Sequence, residues 1–398
     1  MMEAGDLAEG MASARPTVMF AYDGQRRSTL AMLRDLVDAV VVPGTVATFH
    51  HQAVPAVLWQ LNRAYVIDPR TPLFQFGEGS APKPSALTLA RAYGEEFLAR
   101  VHRRARVMTM TPDEWCAAAA SWAAFQREYA PRGQFSFNPP PAAIVPLYLM
   151  SDASLGLEWE LSLAMVRATK RAVDDQAVWG VAALRSRDRT DPYVGALDAM
   201  LARLSEHVDT VLVWLDACVE HDLQARAVAS LAELAARHRH LTIHSLYGGY
   251  LSLLRHPFGW AGTSSGIGYS ESRAAAKLAD SGSGTSPPRY YLPLVHAFTT
   301  PAVAEAFIRR AGQIAECGCS TCLSVADGVA VSNLNGEQLA QHYVQARDLE
   351  RRRVMTDPLP RLIADLRDAH RISDDVGIEK MPRGHLSEWA SGLENTGP

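Results

Sequence analysis

Ala143-Ile-Val-Pro-Leu-Tyr-Leu-Met150, Ala177-Val-Trp-Gly-Val-Ala-Ala-Leu184, Thr210-Val-Leu-Val-Trp-Leu215 and Leu241-Thr-Ile-His-Ser-Leu246 follow one another in the middle of this 398-residue chain. Each is a short apolar run. The intervening segments 154–172, 191–206 and 223–238 carry apolar residues at helical spacing. Short strands apolar on both faces, separated by helices of a dozen residues or more, belong to a parallel sheet covered by helices.

The same alternation extends upstream. Thr17–Tyr22 reads as a strand, Ser28–Val40 as a helix, Val40–Thr45 as a buried strand ending in a turn, Ala53–Asn62 as a helix, and Ala64–Asp68 as a strand stopped by Pro69. Pro72–Pro84 is a Pro/Gly-rich loop, helices follow at about 85–105 and 112–129, and Arg132–Pro141, with three successive prolines, is a long connection. Trp260–Thr263 and Tyr290–Val295 are further strands. About eight strands favour a closed (β/α)8 TIM barrel over an open doubly wound sheet. No glycine fingerprint for a dinucleotide follows the first strand, and Gly262–Gly268 lacks the Gly-Lys-Ser/Thr of a phosphate-binding loop. The expected organisation is a disordered 1–16, a barrel over 17–312 with an insertion around 77–141, and a C-terminal zinc-binding subdomain with helices over 313–398.

That subdomain is expected from Cys317-Gly-Cys319-Ser-Thr-Cys322, which places three of the five cysteines in six residues, with His342 on the following helix. Thiolates and imidazole suit a borderline-soft ion, and four such ligands complete a tetrahedral shell, so a structural zinc is the expected occupant. A disulfide or unrelated buried thiols are the alternatives. The N-terminus, acidic and polar, has no apolar signal region, which points to the cytoplasm, where a cysteine cluster means metal more often than disulfide.

A hydrophobic content of 48% with 21% charged residues describes a globular chain with ample core, and no apolar run approaches the roughly 20 residues of a membrane span. A formal charge of −4 argues against a basic coat but not against a local phosphate groove. Arginine is dense at Arg100–Arg106, Arg185–Arg189 and Arg347–Arg353, the last placed where a metal could brace a basic surface.

In a parallel barrel the reacting groups stand at the C-terminal strand ends. Polar residues directly after the apolar runs are Asp68, Asp152, Asp216, the run Tyr247-Gly248-Gly249-Tyr250, the run Gly266-Ile-Gly268-Tyr269-Ser-Glu271, and His296. Asp68 and Asp216 are the candidate catalytic carboxylates. Tyr247 to Tyr250, Gly268, Tyr269, Glu271 and His296 are candidates for substrate contact, with Arg273 a partner for Glu271 and with Tyr290 and Tyr291 as a further wall.

On these residues the chain resembles the tRNA-guanine transglycosylase superfamily, in particular its DNA-modifying 7-deazaguanine branch. The resemblance rests on the Cys-x-Cys-x-x-Cys at Cys317, Cys319 and Cys322 with a helical His342. Ile67-Asp-Pro-Arg-Thr-Pro-Leu-Phe-Gln75 resembles the family's strand carrying an aspartate before Phe-Gln, and Gly259–Glu271 its glycine-rich strand. The family's Phe-Asp-Cys-Val motif has no counterpart before Cys317. The resemblance implies a barrel with a zinc subdomain that exchanges a guanine in DNA or tRNA for a 7-deazaguanine, working alone, as a homodimer or with an accessory protein. A carboxylate attacks C1′ and a second moves protons. Asp216, anchored at a strand end, is expected to be the nucleophile, and Asp68, at the start of a looser Pro-rich turn, the proton-transfer group; Glu271 is the next candidate. A non-catalytic nucleic-acid-binding relative and a barrel hydrolase or lyase for a small molecule are the competing readings.

Overall fold

The computed structural model describes residues 15–22, 27–32, 34–76, 82–129, 141–185, 194–267, 274–278, 288–312, 318–379 and 381–396. Seven parallel strands, β1 (Thr17–Ala21), β2 (Ala39–Pro43), β3 (Ala64–Asp68), β4 (Trp179–Arg185), β5 (Thr210–Asp216), β6 (Thr242–Ser245) and β7 (Trp260–Gly266), form one sheet in the order β3-β2-β1-β7-β6-β5-β4. This is a curled α/β sheet of the TIM-barrel kind. The pairing of β1 with β7, Met19 beside Ser264, brings the two ends of the chain's strand series together.

The gap between β3 and β4 is filled by the apolar run Ala143–Met150. Ala142 N–H donates to Tyr65 O of β3 at 2.8 Å, and parallel bridges pair Ile144 with Val178 and Ser151 with Leu184 along β4. This eighth stave is not a regular strand. Pro146 has no N–H to give, and the interval Ile144–Ser151 faces an interval of β4 one residue shorter. Side chains replace the missing ladder. Gln126 exchanges two hydrogen bonds with Val145 (3.1 and 3.0 Å), Gln75 exchanges two with Met150 (2.9 and 3.0 Å), and Ser162 Oγ accepts from Leu149 N–H at 3.0 Å. A buried backbone group without a partner costs about 1–3 kcal/mol. Gln126→Ala, which orphans the Val145 N–H, is therefore expected to destabilise by about 2 kcal/mol or more. Urea unfolding checks this: a midpoint equal to that of the parent would show that the stave does not depend on the clamp.

Helix Gly336–Thr356 is the lid of the seam between β7 and β1. A capping box of Asn335 and Gln338 starts it. Its Tyr343 packs edge-on against Phe20 of β1 and donates to Ser265 Oγ of β7 at 3.0 Å. Arg351 clamps Asp38, whose carboxylate also accepts from Val18 N–H at 2.9 Å and so ties the starts of β1 and β2 to the helix. The C-terminal region is thus part of the barrel wall.

Several local expectations change. The expected helix Ser28–Val40 is a shorter helix, Arg27–Met32, and a 3-10 turn, Arg34–Leu36, because the β-branched run at Val40 enters β2 from Ala39. The strand expected over Val40–Thr45 ends at Pro43, and helix Gly44–Phe49 follows. The helix expected over 85–105 breaks into Pro84–Ala92 and Glu95–His102 at Gly94, whose φ of 110° is left-handed. Tyr290–Val295 is no barrel strand: Tyr290–Leu292 (β8) pairs antiparallel with Ala297–Thr299 (β9). Among the described residues no helix is long and apolar enough to cross a membrane.

Candidate active site and metal centre

Side chains alternate faces along a strand, so one known inward residue fixes the others. Tyr247, two residues beyond β6, donates its hydroxyl to Asp68 Oδ2 at 2.6 Å, and β3 and β6 stand on opposite sides of the ring. That bond crosses the interior, so Asp68 faces inward. Trp214 of β5 packs edge-on against Tyr148 and Tyr247 and faces inward too. Asp216, two residues further on, shares its face, and its register partner is Arg185 at the end of β4. Both candidate carboxylates therefore end parallel strands at the C-terminal mouth. The short helix Pro72–Phe76 beyond Asp68 touches the turn Ala276–Leu278, and Ala275 N–H donates to Asp216 Oδ1 at 2.6 Å, so the loops behind the two aspartates meet over that mouth.

The two carboxylates differ in setting. Asp68 is 1% exposed. Its Oδ1 accepts from Tyr148 Oη at 2.7 Å and from Arg70 N–H at 3.1 Å, and Arg70 Nε lies 3.6 Å from Oδ2. Asp216 is only half-buried. The expectation that Asp68 is the looser of the two is thus reversed: the Pro69 turn delivers Asp68 into a cage of two phenols and a guanidinium. Burial, reinforced by the Asp68 charge, pushes the Tyr148 hydroxyl well above the ordinary phenol range, so it keeps its proton and donates a hydrogen bond to Asp68. Burial works against the Arg70 charge, but the oxygens of Tyr247 and Asp68 outweigh it and raise that pKa.

Backbone strain collects at the same end. Arg70 (φ 55°), Ala217 (φ 54°) and Tyr247 (φ 63°) are non-glycine residues in the left-handed region directly after β3, β5 and β6. Each such residue costs on the order of 1–3 kcal/mol and persists only where the surroundings hold it, which is common in functional loops. Arg70 and Tyr148 are cage residues that the strand-end survey of the sequence did not reach. Tyr148 lies within its stave, and Arg70 is hidden between two prolines of a turn.

The remaining sequence candidates separate. At Gly248 a Cβ would lie 2.2 Å from Ser252 Oγ and 2.7 Å from Thr263 Oγ1, so the glycine lets the backbone approach the protein's own side chains. Gly249 caps helix Tyr250–Leu254. Tyr250 and His296 are buried and stacked on each other with ring centroids 3.7 Å apart. Glu350 Oε1 lies 2.5 Å from His296 Nδ1 and accepts from Tyr291 Oη at 2.6 Å, while Arg347 pairs with Glu350 at 2.9 Å. This buried network pins the β8–β9 hairpin to helix Gly336–Thr356. Burial, partly offset by Glu350, lowers the His296 pKa, so the ring is neutral near pH 7. Gly268, Tyr269, Glu271 and Arg273 lie outside the described residues.

The third arginine cluster is not the basic surface that the sequence suggested. Arg347 is buried, Arg351 and Arg352 pair with Asp348, and Arg353 pairs with Asp365.

Cys319, Cys322 and His342 converge, with their ligand atoms within 4.8 Å of one another. Cys319 Sγ and Cys322 Sγ lie 3.2 and 3.4 Å from His342 Nδ1. Metal bonds of about 2.3 Å to sulfur and 2.0 Å to nitrogen give tetrahedral edges of roughly 3.5 Å, so the spacing suits a shared ion. His342 Nε2 lies 2.6 Å from Tyr291 O, which fixes the ring with Nδ1 toward the sulfurs, the outer-shell arrangement usual for a histidine ligand. Burial lowers the His342 pKa, but the hydrogen bonds and charges of the Cys319 and Cys322 sulfurs outweigh it and lift it to about 10. No disulfide joins these two cysteines. Cys317 lies outside the described residues, although Gly318, in the left-handed region at φ 70°, supplies the tight turn expected beside it.

No family model matches this chain, and no curated protein matches it. Among solved structures, it is similar to a type I 3-dehydroquinate dehydratase from Clostridium difficile, at 12% identity and a TM-score of 0.36, covering 67% of this chain and 91% of that one. It is also similar to the carboxyl transferase domain of Rhizobium etli pyruvate carboxylase, at 12% identity and a TM-score of 0.41, covering 98% of this chain and 58% of that one. The barrel assignment rests on the strand order and register above.

Proposed function

We propose that this protein is an enzyme that exchanges a guanine base in nucleic acid for a 7-deazaguanine, with chemistry at the barrel mouth and a structural zinc on Cys317, Cys319, Cys322 and His342. The observation that supports it is the pair of inward carboxylates of opposite character at one end of the barrel. Asp216, half-buried at the mouth where Asp68 is almost fully enclosed, is the group a bulky nucleotide can reach. Its carboxylate attacks C1′, the bond from C1′ to the base breaks, and the electron pair leaves with the base. The leaving nitrogen then needs a proton. Asp68, positioned by the hydroxyls of Tyr148 and Tyr247, is the group that passes this proton and takes one back from the incoming base, which displaces Asp216 from C1′. Cys319, Cys322 and His342 would hold the zinc away from these steps, and an ion bound there would tie the hairpin and two helices together.

The role given to Asp216 now rests on access rather than on rigidity, since Asp68 is the more rigidly held. The test is incubation of the full chain with labelled guanine and, separately, DNA and tRNA. Label is expected in one of the two polymers. No incorporation into either by folded, zinc-loaded protein would remove the base-exchange reading and favour a non-catalytic binding protein.

A further inference from the structure

Arg185 stands at the mouth, beside Asp216 in register and on the same inner face. Its guanidinium carbon lies 4.4 Å from the centroid of the Phe76 ring, and its Nε is buried without a hydrogen bond. Arg70, Arg100, Arg255, Arg347 and Arg351 also have a buried Nε without a hydrogen bond, but each has a side-chain partner, Asp68, Glu114, Ser245, Glu350 and Asp38 respectively. Among the described residues no side chain hydrogen-bonds the Arg185 guanidinium, although its charge is felt by Asp152, whose pKa it helps to lower. Asp152, the acid on the neighbouring stave, has its Oδ1 engaged by the hydroxyl and the N–H of Ser154.

An arginine stacked on an aromatic ring is held in position with its planar N–H edge available, the geometry that binds oxyanions in bidentate fashion. A buried Nε–H without a partner is costly unless a ligand completes it, and the half-buried guanidinium leaves its terminal nitrogens open to one. We propose that Arg185 is the anchor of a phosphate subsite inside the barrel mouth, taking a phosphate of the substrate while the adjacent Asp216 faces the reacting carbon. Neighbouring strands stand about 4.8 Å apart, so both groups can engage one nucleotide at once. The assignment to the reacting nucleotide rests on the base-exchange reading, whereas the binding of phosphate does not.

Calorimetric titration of the full chain with inorganic phosphate, and separately with acetate, tests the subsite. The wild-type protein is expected to bind phosphate, Arg185→Gln to bind it at least tenfold more weakly, Arg185→Lys to fall between them, and Asp216→Asn to bind more tightly because a neighbouring negative charge is gone. Thermal melts establish that each variant is folded, and if Arg185→Gln is not, Arg185→Lys carries the comparison. Wild-type-like phosphate affinity in the Arg185 variants, or no phosphate binding by the wild type, would overturn the proposal. Acetate binding as tightly as phosphate would also overturn it, assigning the site to a carboxylate. Phosphate binding that depends on Arg185, together with a failed guanine incorporation, would keep the subsite and discard base exchange.

Discussion

Asp216→Asn is expected to lower guanine incorporation by about 10³-fold or more, because removing a nucleophile removes the covalent route rather than weakening one contact. Nucleic-acid affinity should stay close to that of the parent, and a covalent protein–nucleic acid adduct trapped under denaturing conditions should vanish. The side chain accepts the backbone N–H of Ala275, a hydrogen bond that an amide oxygen can also accept, and a thermal melt establishes that the variant is folded. An undiminished adduct in the variant would move the nucleophile elsewhere, with Glu271 the next residue to test. Asp68→Asn distinguishes the two roles. It should slow both loss and gain of base while leaving the adduct detectable, since the tyrosine cage would hold an amide in place of a charge.

The second large effect is on stability. Cys319→Ser is expected to reduce bound zinc from about one ion per chain to a small fraction of that and to lower the melting temperature by roughly 10 °C, because metal binding free energy is folding free energy in such a site. Tyr290 stacks on His342 and its hydroxyl lies 3.2 Å from Cys322 Sγ, so the site joins helix Ser320–Ala326, helix Gly336–Thr356 and the β8–β9 hairpin. Helix Gly336–Thr356 also closes the barrel seam through Arg351 and Asp38, so loosening the metal end reaches the start of β1. Metal analysis and melting curves on zinc-loaded protein check both parts. Wild-type zinc content in the variant would take Cys319 out of the ligand set.

Much of the barrel is legible in the chain because it follows from local rules. Runs such as Thr210–Leu215 can only be strands buried on both faces, and the helices between them force parallel pairing. Strand direction then puts Asp68 and Asp216 at one end without further information. The convergence of Cys319 and Cys322 is likewise local, since one helical turn separates them.

What the chain could not reveal by itself depends on partners distant in sequence. The stave at 142–151 reads as an ordinary strand, yet its backbone is satisfied by Gln75, Gln126 and Ser162, and no spacing rule marks a glutamine as a backbone clamp. His296 and Tyr250 look like mouth residues by position, but Glu350 and Arg347, which reach them from a helix far along the chain, hold them in a buried network. Asp68 looks loose beside its proline, whereas Tyr247 arrives from the opposite side of the ring to lock it. Periodicity determined which residues are strand and which end of each strand is which. Closure of the ring decided which polar groups meet, because hydrogen bonds across the interior join residues whose separation in sequence carries no pattern.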